Sequence, residues 1–293
     1  MYELISFGKK THYIDCPAKI GIYNIDDENV CLIDSGNSKD TAKKVLKIVM
    51  EQGWNIKTII NTHGHADHVG GNAYLQEETG CEILCRGIDH ALTTHTIVNS
   101  SYLCGSNSPK IARGKFFYAQ PADVKPLTCE NLPEGLQMLA CDGHSFSQTM
   151  FKTPDNAWFV ADAIAGEETI NKYGIVFVQN VEKYLDSLEM LKTIEGEYFI
   201  PSHVAPSSDI SALVEFNIQK TYQVIDDILS FCAQKITFEH LIKALFDKYN
   251  LKLDFSQNML IGSTVKSYLT YLLDNEKIDV VFQDNMQYWV AKN

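Results

Sequence analysis

"NTHGHADHVGG", residues 61–71, places three histidines and an aspartate between positions 63 and 68, in a chain with nine histidines among 293 residues. A polar surface loop with coincidental histidines is the plain alternative, and the surroundings argue against it. "NIKTIINT" (55–62) reads as a strand that runs straight into His63. "GGNAYLQEETG" (70–80) reads as a short helix stopped by Gly80. Gly64 is expected to leave the loop free to turn between the first two imidazoles.

Working outward, the same rhythm repeats. "KIGIYNI" (19–25) and "VCLIDSG" (30–36), joined by "DDEN", read as an antiparallel hairpin, and 38–53 has its apolar residues at helical spacing. "CEILC" (81–85), 136–144, 148–154 and 156–162 read as strands, the last two paired across "TPDN". A helix is expected over 181–194 and a strand over 196–203. Alternating strands and helices imply an α/β fold, with sheets covered by helices. Residues 87–128 show no clean period and read as a loop-rich insertion, a kind of segment that tends to be functional. From 213 the pattern changes to helix-like stretches near 213–233, 237–249, 257–262 and 263–274, then a hairpin turning at Asp284-Asn285. Two domains are expected, 1–212 and 213–293, with the boundary in the polar "APSSDIS" segment (205–211).

Three more metal-capable side chains each follow a strand: His144 in "CDGHSFSQ", Asp162 in "FVADAI" and His203 in "FIPSHVAP". With His63, His65, Asp67 and His68 they make seven candidate ligands at the C-terminal ends of strands. Such ends can converge on one edge of a sheet-based fold, where ligand sites form. Imidazole suits zinc, iron and related divalent ions, and carboxylates add neutralisation and bridging. Five histidines and two carboxylates exceed the needs of one tetrahedral ion. They suit two ions about 3.5–4 Å apart with a shared bridge.

His63-x-His65-x-Asp67-His68, followed by His144, Asp162 and His203, resembles the metal-binding pattern of the metallo-β-lactamase superfamily. The resemblance covers roughly residues 10–210 and includes "LIDSG" (32–36). It implies a four-layer αββα sandwich with a dinuclear site at one edge. It also implies that His63, His65 and His144 hold one metal, that Asp67, His68 and His203 hold the other, and that Asp162 bridges them. Within the family the set resembles glyoxalase II-like thioesterases, lactonases and metallo-ribonucleases. True β-lactamases usually place a cysteine in the second site, and the family's di-iron flavoproteins usually have glutamate where His65 stands. Two departures are Ser147 and Val204, where the family often has glycine, so both loops are expected to differ in shape. Residues 213–293 resemble, by pattern alone, the small winged-helix domain of some members.

Other residues receive plainer readings. Asp34 is either a partner that orients a ligating imidazole or a strand-ending turn residue. His90 and His95 are candidates for lining a substrate pocket, while His12 and His240 read as ordinary core or surface histidines. Tyr102, Tyr118 and Tyr173 read first as packing residues, and Lys110, Arg113 and Lys115 as a solvated loop. The eight cysteines are scattered without a CxxC pair and read as reduced thiols. The start of the chain lacks the basic-then-apolar pattern of a signal peptide, and no stretch approaches 18 apolar residues, so a cytoplasmic location without membrane contact is expected.

A net charge of −12 gives no general attraction for nucleic acid, and residues 213–293 carry 8 lysines against 10 carboxylates. For that region packing or homodimerisation is the better expectation. The expected function is dinuclear metal-dependent hydrolysis, with a metal-bound hydroxide attacking the thioester or ester carbonyl of a small molecule and Asp67 handling a proton. Zinc is the first choice of cofactor, with iron or manganese as alternatives. A nuclease cleaving RNA or DNA and a non-catalytic metal-binding regulator are the competing readings.

Overall fold

The segments read as strands pair into two main sheets in a computed structural model that describes residues 2–292. The first sheet has the order β1 (Glu3–Ser6), β2 (Thr11–Asp15), β3 (Ile20–Asn24), β4 (Asn29–Ile33), β5 (Asn55–Asn61), β6 (Glu82–Cys85) and β7 (Val124–Pro126). Its first four strands are antiparallel neighbours, and β4 to β7 run parallel. The parallel part needs crossover helices. These are α1 (Lys39–Glu51), then α2 (Ala66–Val69) with α3 (Asn72–Thr79), then α4 (Gly87–Thr94) with α5 (Ile97–Cys104). The second sheet has the order β11 (Tyr198–Pro201), β10 (Ala157–Ala161), β9 (Thr149–Lys152) and β8 (Gln137–Ala140), with β10 and β11 parallel. The short helix α6 (Glu167–Tyr173) and helix α7 (Val181–Leu191) join β10 to β11.

Local chemistry explains these elements. Ser38 caps α1 by accepting the Thr41 N–H, and Asp40 lies in the first turn, near the positive end of the helix dipole. Ala42, Val45 and Val49 form its buried stripe, each valine contributing roughly 1.5–3 kcal/mol. Beyond its end, Gly53 takes the left-handed conformation (φ +78°).

Period-2 alternation in the first sheet separates two cores. Ile22, Leu32, Ile59 and Ile83 face α1 and α3, in one cluster with Val45 and Leu75. Their neighbours Tyr23, Cys31, Ile33, Ile60 and Leu84 face the second sheet and pack with Phe151, Phe159 and Ile200. On the far side of the second sheet, Met150, Trp158, Val160 and Phe199 meet α7 and the C-terminal helices. Three apolar layers therefore separate four structural ones, which is the αββα arrangement.

The C-terminal region comprises α8 (Ser211–Phe231), α9 (Phe238–Lys248), α10 (Phe255–Asp274) and a hairpin of β12 (Ile278–Gln283) and β13 (Met286–Ala291). The stretches expected at 257–262 and 263–274 are one helix. Asp254 caps it through the Gln257 N–H, and packing outweighs the roughly 1 kcal/mol cost of Gly262 in its interior. The core is continuous across residue 212, since Leu188 of α7, Ile228 of α8 and Leu272 of α10 belong to the same cluster as Trp158. The segment 87–128 also differs from expectation. It holds α4, α5, a 3₁₀ turn at Lys110–Arg113 and β7, whose elements are too short for their period to stand out. All eight cysteines are free thiols. Among the described residues no helix is long and apolar enough to cross a membrane.

Candidate metal centre

The strand ends converge as expected. β5 leads into His63, His65 and the short α2 with Asp67 and His68; the loop after β8 carries His144, and Asp162 and His203 follow β10 and β11. The seven side chains form two groups, His63–His65–His144 and Asp67–His68–Asp162–His203, each with its potential ligand atoms within 4.8 Å of one another. His65 Nδ1 lies 2.9 Å from His63 Nε2 and 3.0 Å from His144 Nε2. Asp162 Oδ2 stands between the groups, 3.5 Å from His144 Nε2, 3.5 Å from His68 Nε2 and 3.4 Å from His203 Nε2. Asp67 Oδ2 is 3.3 Å from His203 Nε2.

The outward nitrogens show that this set fits divalent cations. His68 Nδ1 is 2.8 Å from Asp34 Oδ2, His144 Nδ1 is 3.2 Å from the Phe177 carbonyl, and His203 Nδ1 is 2.7 Å from the Pro17 carbonyl. Each of these partners only accepts, so each Nδ1 carries the hydrogen. The Thr62 hydroxyl donates to Asp34 Oδ2 at 2.7 Å and therefore accepts from His63 Nδ1 at 3.0 Å. In four imidazoles Nε2 is thus the nitrogen that faces the groups, free to ligate once it carries no proton. His68 Nε2 and Asp162 Oδ1 are buried and have no hydrogen-bond partner within the protein. A cation would satisfy both.

The two groups differ electrically. Burial holds His63 well below its usual 6.5 and brings His65 and His144 to about 4, so the first group is neutral imidazole. Burial alone would also lower His68, but the carboxylates of Asp162, Asp67 and Asp34 outweigh it and raise that ring well above 6.5. His203 is pushed up to about 10, chiefly by Asp162. Desolvation would raise Asp67 and Asp162, but His68 and His203 outweigh it and hold both below the usual carboxylate range.

Two strained backbone positions deliver carboxylates: Asp34 itself (φ +66°) and Ala161 (φ +50°), just before Asp162. Of the two readings of Asp34, the structure shows the orienting partner. It is buried, and besides His68 and the Thr62 hydroxyl it accepts the Thr62 N–H at 2.8 Å.

Gly64 has a different role from the one expected. Its φ is not positive; a Cβ there would lie 2.8 Å from Leu92 Cβ, so α4 packs against bare backbone. The other residues singled out lie elsewhere. His90 Nε2 is bonded to the Val124 carbonyl at 3.0 Å, and His95 is exposed at the end of α4. Tyr102 packs on Phe146, and Tyr173 is exposed. Arg113 folds back on the Ser108 carbonyl, with Lys110 and Lys115 exposed beside it.

Three contributors had no motif to reveal them. The Phe177 ring lies 5.2 Å from His65 and 5.7 Å from His144 and walls one side of the first group. Asn217 of α8 holds the segment after Asp162, bonding the Ala165 N–H at 3.0 Å and its carbonyl at 2.9 Å. Asp89 of α4 is fully buried; burial raises its carboxyl against the pull of its hydrogen-bond donors.

Comparison with known proteins agrees with this architecture. Residues 15–203 match the profile of the metallo-beta-lactamase superfamily. Hydroxyacylglutathione hydrolases are similar over short stretches, that of Rhodospirillum rubrum at 49% identity over 43 residues (15% of this chain, 17% of the relative). That of Methylococcus capsulatus is 36% identical over 67 residues (20% and 26%). The first matched relatives are thus covered over well under two thirds of their length. The beta-lactamase-like protein 2 homolog of Drosophila melanogaster is 23% identical over 70% of this chain and 64% of its own. A metallo-beta-lactamase family protein from Thermus thermophilus shares the fold with a TM-score of 0.72 at 16% identity, over 99% of this chain and 98% of its own. A beta-lactamase domain protein from Burkholderia ambifaria does so with 0.74 at 13%, over 99% and 94%. With its strand-end histidines and aspartates gathered at one edge of an αββα sandwich, the chain belongs to the metallo-beta-lactamase superfamily.

Proposed function

We propose that the chain is a metal-dependent hydrolase acting on the ester or thioester carbonyl of a small molecule. The observation that carries this reading is Asp162 Oδ2, placed within 3.5 Å of Nε2 atoms from both groups. His63, His65 and His144 would hold one divalent ion, Asp67, His68 and His203 the other, and Asp162 both. Zinc suits this mixed nitrogen and oxygen set, as do iron and manganese. Such a pair supplies a Lewis acid for a carbonyl oxygen and lowers the pKa of water.

The chain's own residues have separate tasks. Asp34 and the Phe177 and Pro17 carbonyls fix imidazole tautomers. Phe177 limits water on one side of the first group. Asp67, a third exposed, is the carboxylate placed to take and return a proton. The short stretches shared with hydroxyacylglutathione hydrolases favour a thioester over other acyl compounds. A panel of thioesters, lactones, phosphodiesters and β-lactams, assayed with defined metals, tests the proposal. Thioester or lactone turnover that needs metal and is lost in Asp67→Ala is expected. Fully loaded protein that turns over only phosphodiesters, or nothing on the panel, would overturn it.

A further inference from the structure

We propose that Asp89 is a positioning residue for the three-histidine group, holding the two loops that carry those histidines through two backbone N–H groups and the Ser145 hydroxyl. The proposal rests on the metal-centre reading above. Asp89 is fully buried in the first turn of α4, with no salt-bridge partner among the described residues. Its Oδ1 accepts the Gly64 N–H at 2.8 Å and the Ser145 hydroxyl, and its Oδ2 accepts the Ser147 N–H at 2.6 Å. Gly64 separates His63 from His65, and Ser145 directly follows His144. One carboxylate therefore grips a loop from each sheet, next to all three ligands.

The surroundings are shaped for this grip. The bare backbone at Gly64 lets α4 approach, since an added Cβ there would lie 3.2 Å from Asp89 Oδ1. Ser147, one of the positions that departs from the family pattern, closes the clasp from the other side. Its hydroxyl accepts the Ile88 N–H at 3.0 Å while its own N–H goes to Asp89. The electrostatics favour a carboxylate. Three imidazoles and an Asp162 carboxylate shared between two ions leave part of the double charge uncompensated, and a buried anion beyond them offsets some of it.

Titration of Co²⁺ into metal-stripped wild type, Asp89→Asn and Ser145→Ala, followed by absorption and chelator competition, tests this. His144→Ala identifies which band belongs to the three-histidine group. Asp89→Asn is expected to weaken that site by roughly 10–100-fold and to change its band, leaving the second site within a few-fold of wild type. Ser145→Ala should show a smaller loss at the same site. Superimposable wild-type and Asp89→Asn titrations would overturn this proposal alone. So would parallel weakening of both sites together with a loss of folded protein, which marks a purely structural residue. If Asp89→Asn does not fold, Ser145→Ala decides, and an unchanged three-histidine site in it overturns the proposal. Wild type that takes up no Co²⁺ removes the metal-centre reading and this proposal with it.

Discussion

Asp34 Oδ2 accepts the Nδ1–H of His68 at 2.8 Å, and both side chains are buried. This contact fixes which nitrogen of His68 faces the cluster. Asp34→Asn tests it without backbone strain, because asparagine tolerates the left-handed conformation found there. The amide presents a donor where an acceptor is needed and favours the wrong tautomer. Metal affinity is expected to fall by roughly 10–100-fold with the circular dichroism spectrum unchanged. Chelator competition measures it, and an unaltered affinity would contradict the orienting role.

In the proposed two-ion centre Asp162 is the shared carboxylate. Asp162→Asn keeps the volume but removes the charge. Metal content is expected to drop from two ions per chain toward one, and turnover by roughly 10³-fold, the equivalent of about 4 kcal/mol in the transition state. Elemental analysis beside kinetics checks this. Two tightly held ions in the variant would show that the two groups do not share this carboxylate.

Acid and base should destabilise the metal-stripped protein for different reasons. His65 and His144 sit at about 4 against 6.5 for an ordinary histidine, so between those values the unfolded chain binds more protons and stability drops as the pH is lowered. His203 sits at about 10, so its contribution is complete below 6.5 and is lost as pH rises toward 10. Stability of the stripped protein should therefore peak near neutrality. Zinc should flatten the alkaline limb, because a ligated Nε2 carries no proton to lose. Urea unfolding across this range reads both limbs. A stripped protein that gains stability steadily up to pH 10 would refute the His203 pairing.

Gly64→Ala places a methyl 2.8 Å from Leu92 Cβ. Overpacking of this kind costs about 1–3 kcal/mol, and relief requires α4 or the His63–His65 loop to move. Lower stability together with weaker metal binding is expected in the same variant. A fully tolerated alanine would mean that α4 does not press on the loop.

Most of the sandwich could be read from the chain because its strands alternate cleanly. In "VCLID" and "TIIN" each apolar neighbour faces a different core. The candidate ligands were legible because each group of them follows a strand, and a strand's end is local information. Asp34 was only half legible: its motif marked the position but not its partner, which lies across the sheet edge. Asp89 was not legible at all. It lies in the 87–128 segment, which shows no clean period and reads as loop, and its carboxylate gains meaning only where α4 crosses Gly64. The unbroken α10 was missed for a similar reason. Gly262 punctuates a sequence, whereas the tertiary packing that carries the helix through it cannot be read locally.

Both groups draw on both sheets. His63, His65, Asp67 and His68 follow β5 in the first sheet, while His144, Asp162 and His203 follow β8, β10 and β11 in the second. Neither complete group exists until the two sheets have docked, so a partly folded chain offers only the 63–68 cluster. An ion captured late in assembly has little to stabilise in the folding transition state. Its energy falls on the reverse path, so loading should lengthen the lifetime of the native chain without hastening its formation.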